Sequence, residues 1–107
     1  MQNKKIILKD LKRSLMNYFI NDIKDVILFG SRAAETSHED SDYDVLIVLN
    51  HDYDWRFGNK IRDVVYDIEL KYDILIDDFL ISKNELKNSL RGSQPIFINA
   101  IQNGEYG

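Results

Sequence analysis

From Ile6 to Ile23 apolar residues recur at helical spacing: Ile7, Leu8, Leu11, Leu15, Tyr18, Phe19 and Ile23, with charges between them. Such spacing lines one side of an amphipathic helix. The pattern then changes. Lys24-Asp25 turn into Val26–Phe29, an apolar run without alternation, and the stretch Asp42–Leu49 carries another, Val45–Leu49. Runs of this kind predict strands buried on both faces, and hence central in a sheet. Asp54 suits the N-cap of a second long helix, with Trp55, Ile61, Val65, Ile68 and Tyr72 on its inner side. Arg62, Asp63, Asp67, Glu69 and Lys71 then form its solvated face. Ile74–Ile81 predicts a third strand, interrupted by Asp77-Asp78. Ser82-Lys83-Asn84-Glu85 fits a capping box, so a helix starts there. Pro95 suits the first turn of a last helix that ends near Gly104.

The predicted order is helix, strand, strand, helix, strand, helix, helix. It implies an α+β fold of two layers: a small mixed β-sheet covered by helices, mainly on one face, with its carboxylates at one end or on the open face. The 107 residues hold no repeat, low-complexity tract or linker, so one domain over residues 1–107 is expected.

Composition narrows the function. Apolar residues make up 44% and charged residues 30%, which supports a packed core rather than disorder. The net charge of -4 argues against a broad nucleic-acid surface, which rests on many Lys/Arg–phosphate contacts. Lys4, Lys5, Lys9, Lys12 and Arg13 read as the solvated side of the first helix. There is no cysteine, which removes disulfides, thiolate metal sites and a thiol nucleophile together. His38 and His51 lack the spaced partners of a zinc site and read as loop residues. No apolar run approaches the roughly 20 residues of a membrane span, and no cleavable signal pattern is visible, so a cytoplasmic protein is expected.

The candidate chemistry lies between the first two strands. Val26–Phe29 breaks at Gly30-Ser31, and Ser41-Asp42-Tyr43-Asp44 opens the next strand. Alternate strand residues share a face, so Asp42 and Asp44 point one way and Tyr43 the other. Glycine lets the backbone turn tightly and approach a ligand. A serine hydroxyl and the free N–H groups of a helix start can hold phosphate. The same dipeptide also suits an ordinary strand-to-helix turn with a serine cap. With the two aspartates beside it, the turn forms a site for a divalent cation carrying phosphates. Mg²⁺ suits such a set, since it binds through one to three carboxylates plus substrate phosphates. The third strand adds a further acid. Asp77 and Asp78 point to opposite faces, so at most one of them joins the site directly. An unpaired buried carboxylate costs several kcal/mol, so at least one must reach solvent, a cation or a donor. Asp73 reads as a boundary residue.

Gly30-Ser31-Arg32-Ala33 followed by Ser41-Asp42-Tyr43-Asp44-Val45 resembles the signature of the polymerase-β-type nucleotidyltransferase superfamily, most of all its minimal nucleotidyltransferases. The motif covers Leu28–Val48, and the order of elements extends the likeness over nearly the whole chain. The resemblance implies that Gly30 and Ser31 hold the triphosphate of an NTP, ATP by preference, and that Arg32 neutralises phosphate charge. It implies that Asp42 and Asp44 ligate Mg²⁺ and that a third carboxylate completes the site and helps to activate an acceptor hydroxyl. Matched against the Ser82 segment, Asp77 is preferred to Asp78 for this role. The implied reaction transfers NMP, releasing pyrophosphate. The chain is too short for the acceptor-holding domain of larger relatives, so the acceptor is expected on a partner protein or across a homo-oligomer. Family members often serve as antitoxins beside a small helical HEPN protein. The competing reading is a non-catalytic module that neutralises a partner by contact. Tyr53, Trp55, Phe57 and Phe97 would be its anchors, unless these aromatics are core.

Overall fold

A computed structural model describes residues 4–30 and 43–107. Helix α1 (Lys4–Tyr18) buries Ile7, Leu8, Leu11 and Leu15. It stops at Tyr18, short of the Ile23 that apolar spacing predicts. Asn21 adopts a left-handed φ of 71°, which breaks the helix. Strand β1 (Ile23–Phe29) follows directly. Phe19 and Ile23 are buried all the same. A turn packed against the core leaves the same apolar trace as one more helical turn.

Strand β2 spans Tyr43–Leu49, and helix α2 (Trp55–Tyr72) carries the chain across to β3 (Ile76–Ser82). Helix α3 (Lys83–Asn88), a 3₁₀ turn (Arg91–Ser93), helix α4 (Pro95–Asn103) and a two-residue strand β4 (Glu105–Tyr106) complete the order. The sheet order is β3-β2-β1-β4. β1 is antiparallel to β2 and β4, and β2 is parallel to β3. The sheet is therefore mixed and the fold α+β. Parallel pairing demands a crossover connection, and α2 supplies it.

β1 and β2 are apolar on both sides because both sides are covered. α1 and α2 bring Leu11, Leu15, Ile61 and Val65 against Val26, Leu28, Val45 and Ile47. On the opposite face, Phe97 and Ala100 of α4 pack with Ile27, Phe29, Leu46, Val48 and Ile81. The expectation of a sheet covered mainly on one face is thus corrected: α4 covers the other face too.

The caps explain the remaining boundaries. Asp54 accepts from the Phe57 N–H and starts α2. Trp55 follows the cap and is 69% exposed, with the Arg56 guanidinium 5.0 Å from its ring centroid, so it does not belong to the inner side. Asp73 ends α2 in a left-handed turn (φ 53°), which delays β3 to Ile76 rather than Ile74. At Ser82 both bonds of the capping box are present. β4 is too short to leave a periodic trace; it pairs through Glu105 with Leu28 and Tyr106 with Ile27. Among the described residues, no helix is long and apolar enough to cross a membrane.

α1 and α2 are also joined by charge. Asp10 accepts from Lys71 Nζ and from the Tyr72 hydroxyl, both at 2.6 Å. These two bonds hold the Asp10 carboxyl below its ordinary pKa. A depressed carboxyl stabilises the fold above its unfolded pKa of about 3.9, and that contribution fades as pH falls through the folded value. Asp10→Asn is therefore expected to lower the urea midpoint at pH 7. The gap from wild type should narrow as pH falls through the depressed folded value of Asp10 and close below it, where the carboxyl is protonated in both states.

Candidate active site

The C-terminal end of β1 and the first residues of β2 and β3 meet at one end of the sheet. Phe29 lies opposite Asp44, and Asp44 opposite Asp77. Cross-strand partners share a face. Here it is the face of Phe29, Leu46 and Ile81, on which α4 packs. Asp44 is partly buried and Asp77 exposed. Tyr43 and Ile76 turn the other way, into the layer beneath α1 and α2. Beside the two acids, the rings of Phe29 and Phe79 meet at 5.7 Å between centroids and form an apolar floor.

Gly30 ends β1 with φ of +75°. A Cβ built at this position would run into Asp44 Oδ2. Any other residue would thus be strained in its backbone and would displace the carboxylate. The glycine leaves the Asp44 oxygen a close approach to the main chain at the point where the strand breaks.

Asp78 faces the opposite way. Its Oδ1 accepts from Arg62 Nη1 at 3.0 Å. Arg62 Nη2 donates to Glu69 Oε1 at 2.8 Å, and Glu69 Oε2 accepts from the Ile76 N–H at 2.7 Å. Burial raises the Asp78 carboxyl above its ordinary pKa, and the positive charge of Arg62 opposes that shift. Arg62 and Glu69 are therefore not part of a uniformly solvated helix face; the Glu69 side chain is only 8% exposed. Their spacing, two helical turns apart on one side of α2, was a readable signal. It gains meaning only once a carboxylate in the next strand is known to need a cation.

Ser31, Arg32, Asp42 and His38 lie outside the described residues. Asp44 and Asp77 are brought together; Asp78 is turned away from them. Both ring nitrogens of His51 face acceptors, Asp22 Oδ1 at 2.7 Å and the Asp52 carbonyl at 2.8 Å, and a protonated ring donates to both. Among the described residues, no three His, Cys, Asp or Glu side chains gather as a metal site.

The family model described as "Polymerase beta, Nucleotidyltransferase" matches residues 9–101. The chain belongs to this nucleotidyltransferase family. Two proteins of Methanocaldococcus jannaschii are similar to it. The one named "Putative protein adenylyltransferase MJ0141" is 34% identical over 97 residues, covering 91% of this chain and 90% of that protein. The one named "Putative protein adenylyltransferase MJ0604" is 33% identical over 86 residues, covering 80% of each. Two solved structures share the nucleotidyltransferase fold. One, a toxin–antitoxin with AMP-PNP, has a TM-score of 0.56 and 19% identity, over 92% of this chain and 70% of that one. The other, a mutant of the toxin–antitoxin MntA-HpeT, has a TM-score of 0.56 and 20% identity, over 98% of this chain and 72% of that one.

In this nucleotidyltransferase the contact between Gly30 and Asp44 is open to a direct test. Gly30→Ala is expected to cost about 1–2 kcal/mol in urea unfolding, the strain of a left-handed backbone with a Cβ. NMR should show a displaced Asp44 side chain. Wild-type stability together with an unmoved Asp44 resonance would mean that the site tolerates the methyl group.

Proposed function

We propose that the chain, read as one domain over residues 1–107, is a Mg²⁺-dependent enzyme that transfers NMP from an NTP to an acceptor hydroxyl. The observation that carries this reading is the Asp44–Asp77 pair at the end of the sheet, on one face, where Gly30 gives Asp44 its close approach. Two hard oxygen donors and a cradle that a Cβ would fill suit a hard divalent cation. Asp42 and Asp44 would hold it, with Asp77 as the third carboxylate. When bound, the cation supplies charge stabilisation for the phosphates and for the leaving pyrophosphate.

The chain's own groups do the remaining work. Gly30 and Ser31 hold the triphosphate, and Arg32 offsets its charge. Asp77 orients the acceptor hydroxyl and takes up its proton. The acceptor oxygen bonds to the α-phosphorus as the bond from that phosphorus to its bridging oxygen breaks. Pyrophosphate leaves with the electron pair.

The names of the M. jannaschii relatives support AMP as the transferred group and protein as the acceptor. The toxin–antitoxin complexes support an antitoxin role. In this reading the acceptor is a toxin, a small helical HEPN protein in the cytoplasm, or is held across a homo-oligomer.

Transfer of label from α-labelled ATP with Mg²⁺, to the protein alone and to lysate, tests the proposal. Wild type should label one discrete acceptor. Asp42→Asn, Asp44→Asn and Asp77→Asn should each reduce labelling by about a hundredfold or more, the scale of losing a group that stabilises transition-state charge. Absence of label from all four common NTPs, together with no Mg–NTP binding by calorimetry, would sink the enzyme. It would favour the contact module, for which the exposed Trp55 is an anchor.

A further inference from the structure

We propose that Arg62 and Glu69 are positioning residues that choose which of two adjacent aspartates enters the site. The inference rests on the reading of Asp77 as the third carboxylate.

The tandem Asp77-Asp78 is degenerate. A slip of β3 by one residue turns every side chain to the other face. It would set Asp78 beside Asp44 and Asp77 under α2, with the same charges in both places. Hydrogen bonding to β2 does not remove the degeneracy, because backbone pairing is the same for every residue. Among the described residues β3 is also an edge strand, paired with β2 alone.

α2 removes it. Glu69 Oε2 accepts the Ile76 N–H at the residue where β3 begins, which pins the strand lengthwise. Arg62 bridges the same Glu69 and Asp78, which pins the strand's rotation. Side chains of Glu69 and Asp78 are mostly buried, 8% and 15% exposed, while the Arg62 side chain that joins them is 44% exposed, so the acids are sheltered and the cation stays in reach of water. Farther along, the Tyr53 hydroxyl donates to the Leu80 carbonyl and holds the other end. With Asp78 engaged beneath α2, alternation leaves Asp77 on the face of Asp44.

The test measures Mg²⁺ titration of the full chain by NMR at the Asp44 and Asp77 amides, and labelling kinetics as kcat and KM. Folding is checked by urea titration. Arg62→Met should abolish the Mg²⁺ response at Asp77 and keep it at Asp44. Its kcat should fall about tenfold to a hundredfold, as for lost outer-shell partners, with KM for Mg–ATP within about threefold of wild type. Arg62→Lys should recover most of the loss. Should Arg62→Met not fold, Glu69→Gln carries the test: its amide oxygen still accepts from Ile76 but presents no charge to Arg62, and the same changes are expected. Folded Arg62→Met or Glu69→Gln with wild-type Asp77 response and kcat would overturn the positioning role, provided Asp77→Asn is inactive. Undiminished labelling and Mg²⁺ response in Asp77→Asn would instead overturn the reading of Asp77, and the positioning role with it.

Discussion

A strand cannot aim two adjacent side chains the same way. At Asp77-Asp78 this rule meets a second one, that a carboxylate leaving water must find a partner. Together they require a cation beneath the sheet, and Arg62 of α2 is that cation. The exposed acid and the sheltered acid are thus two halves of one arrangement. The helix that satisfies one determines the direction of the other.

The sheet supports this from both sides. Its inner strands are packed between α1 and α2 on one face and α4 on the other, so β1 and β2 have little freedom. The end where β1 breaks at Gly30 is where polar chemistry begins. A rigid apolar slab that ends in carboxylates holds them at fixed separation, which a loop could not do.

Much of this was legible in the residues. The central strands followed from unbroken apolar runs, the caps at Asp54 and Ser82 from their side-chain chemistry, and the family from the Gly-Ser and Asp-x-Asp elements. What escaped has physical reasons. Phe19 and Ile23 fit helical spacing because the core receives them from a turn as readily as from a helix. Hydrophobicity points Trp55 inward, yet its place at the helix start leaves it outside the packed layer. Glu69 has the composition of a surface residue, and only its partners, Arg62 and the Ile76 N–H, make it an interior one. β4 is held by sheet pairing alone, which no local pattern records. Within the candidate site, residue spacing alone cannot say which of Asp77 and Asp78 lies opposite Asp44, because their facing depends on contacts from Arg62 and Glu69 of the preceding helix.

The parallel pairing of β2 with β3 has a consequence for when the site comes into existence. Asp44 and Asp77 are neighbours in space but are separated along the chain by the whole α2 crossover. Contacts of that separation form only after a long segment has been closed, which carries an entropic cost and slows folding. A nascent or partly folded chain therefore keeps Asp77 apart from Asp44, and the two acids share a face only once the crossover has docked.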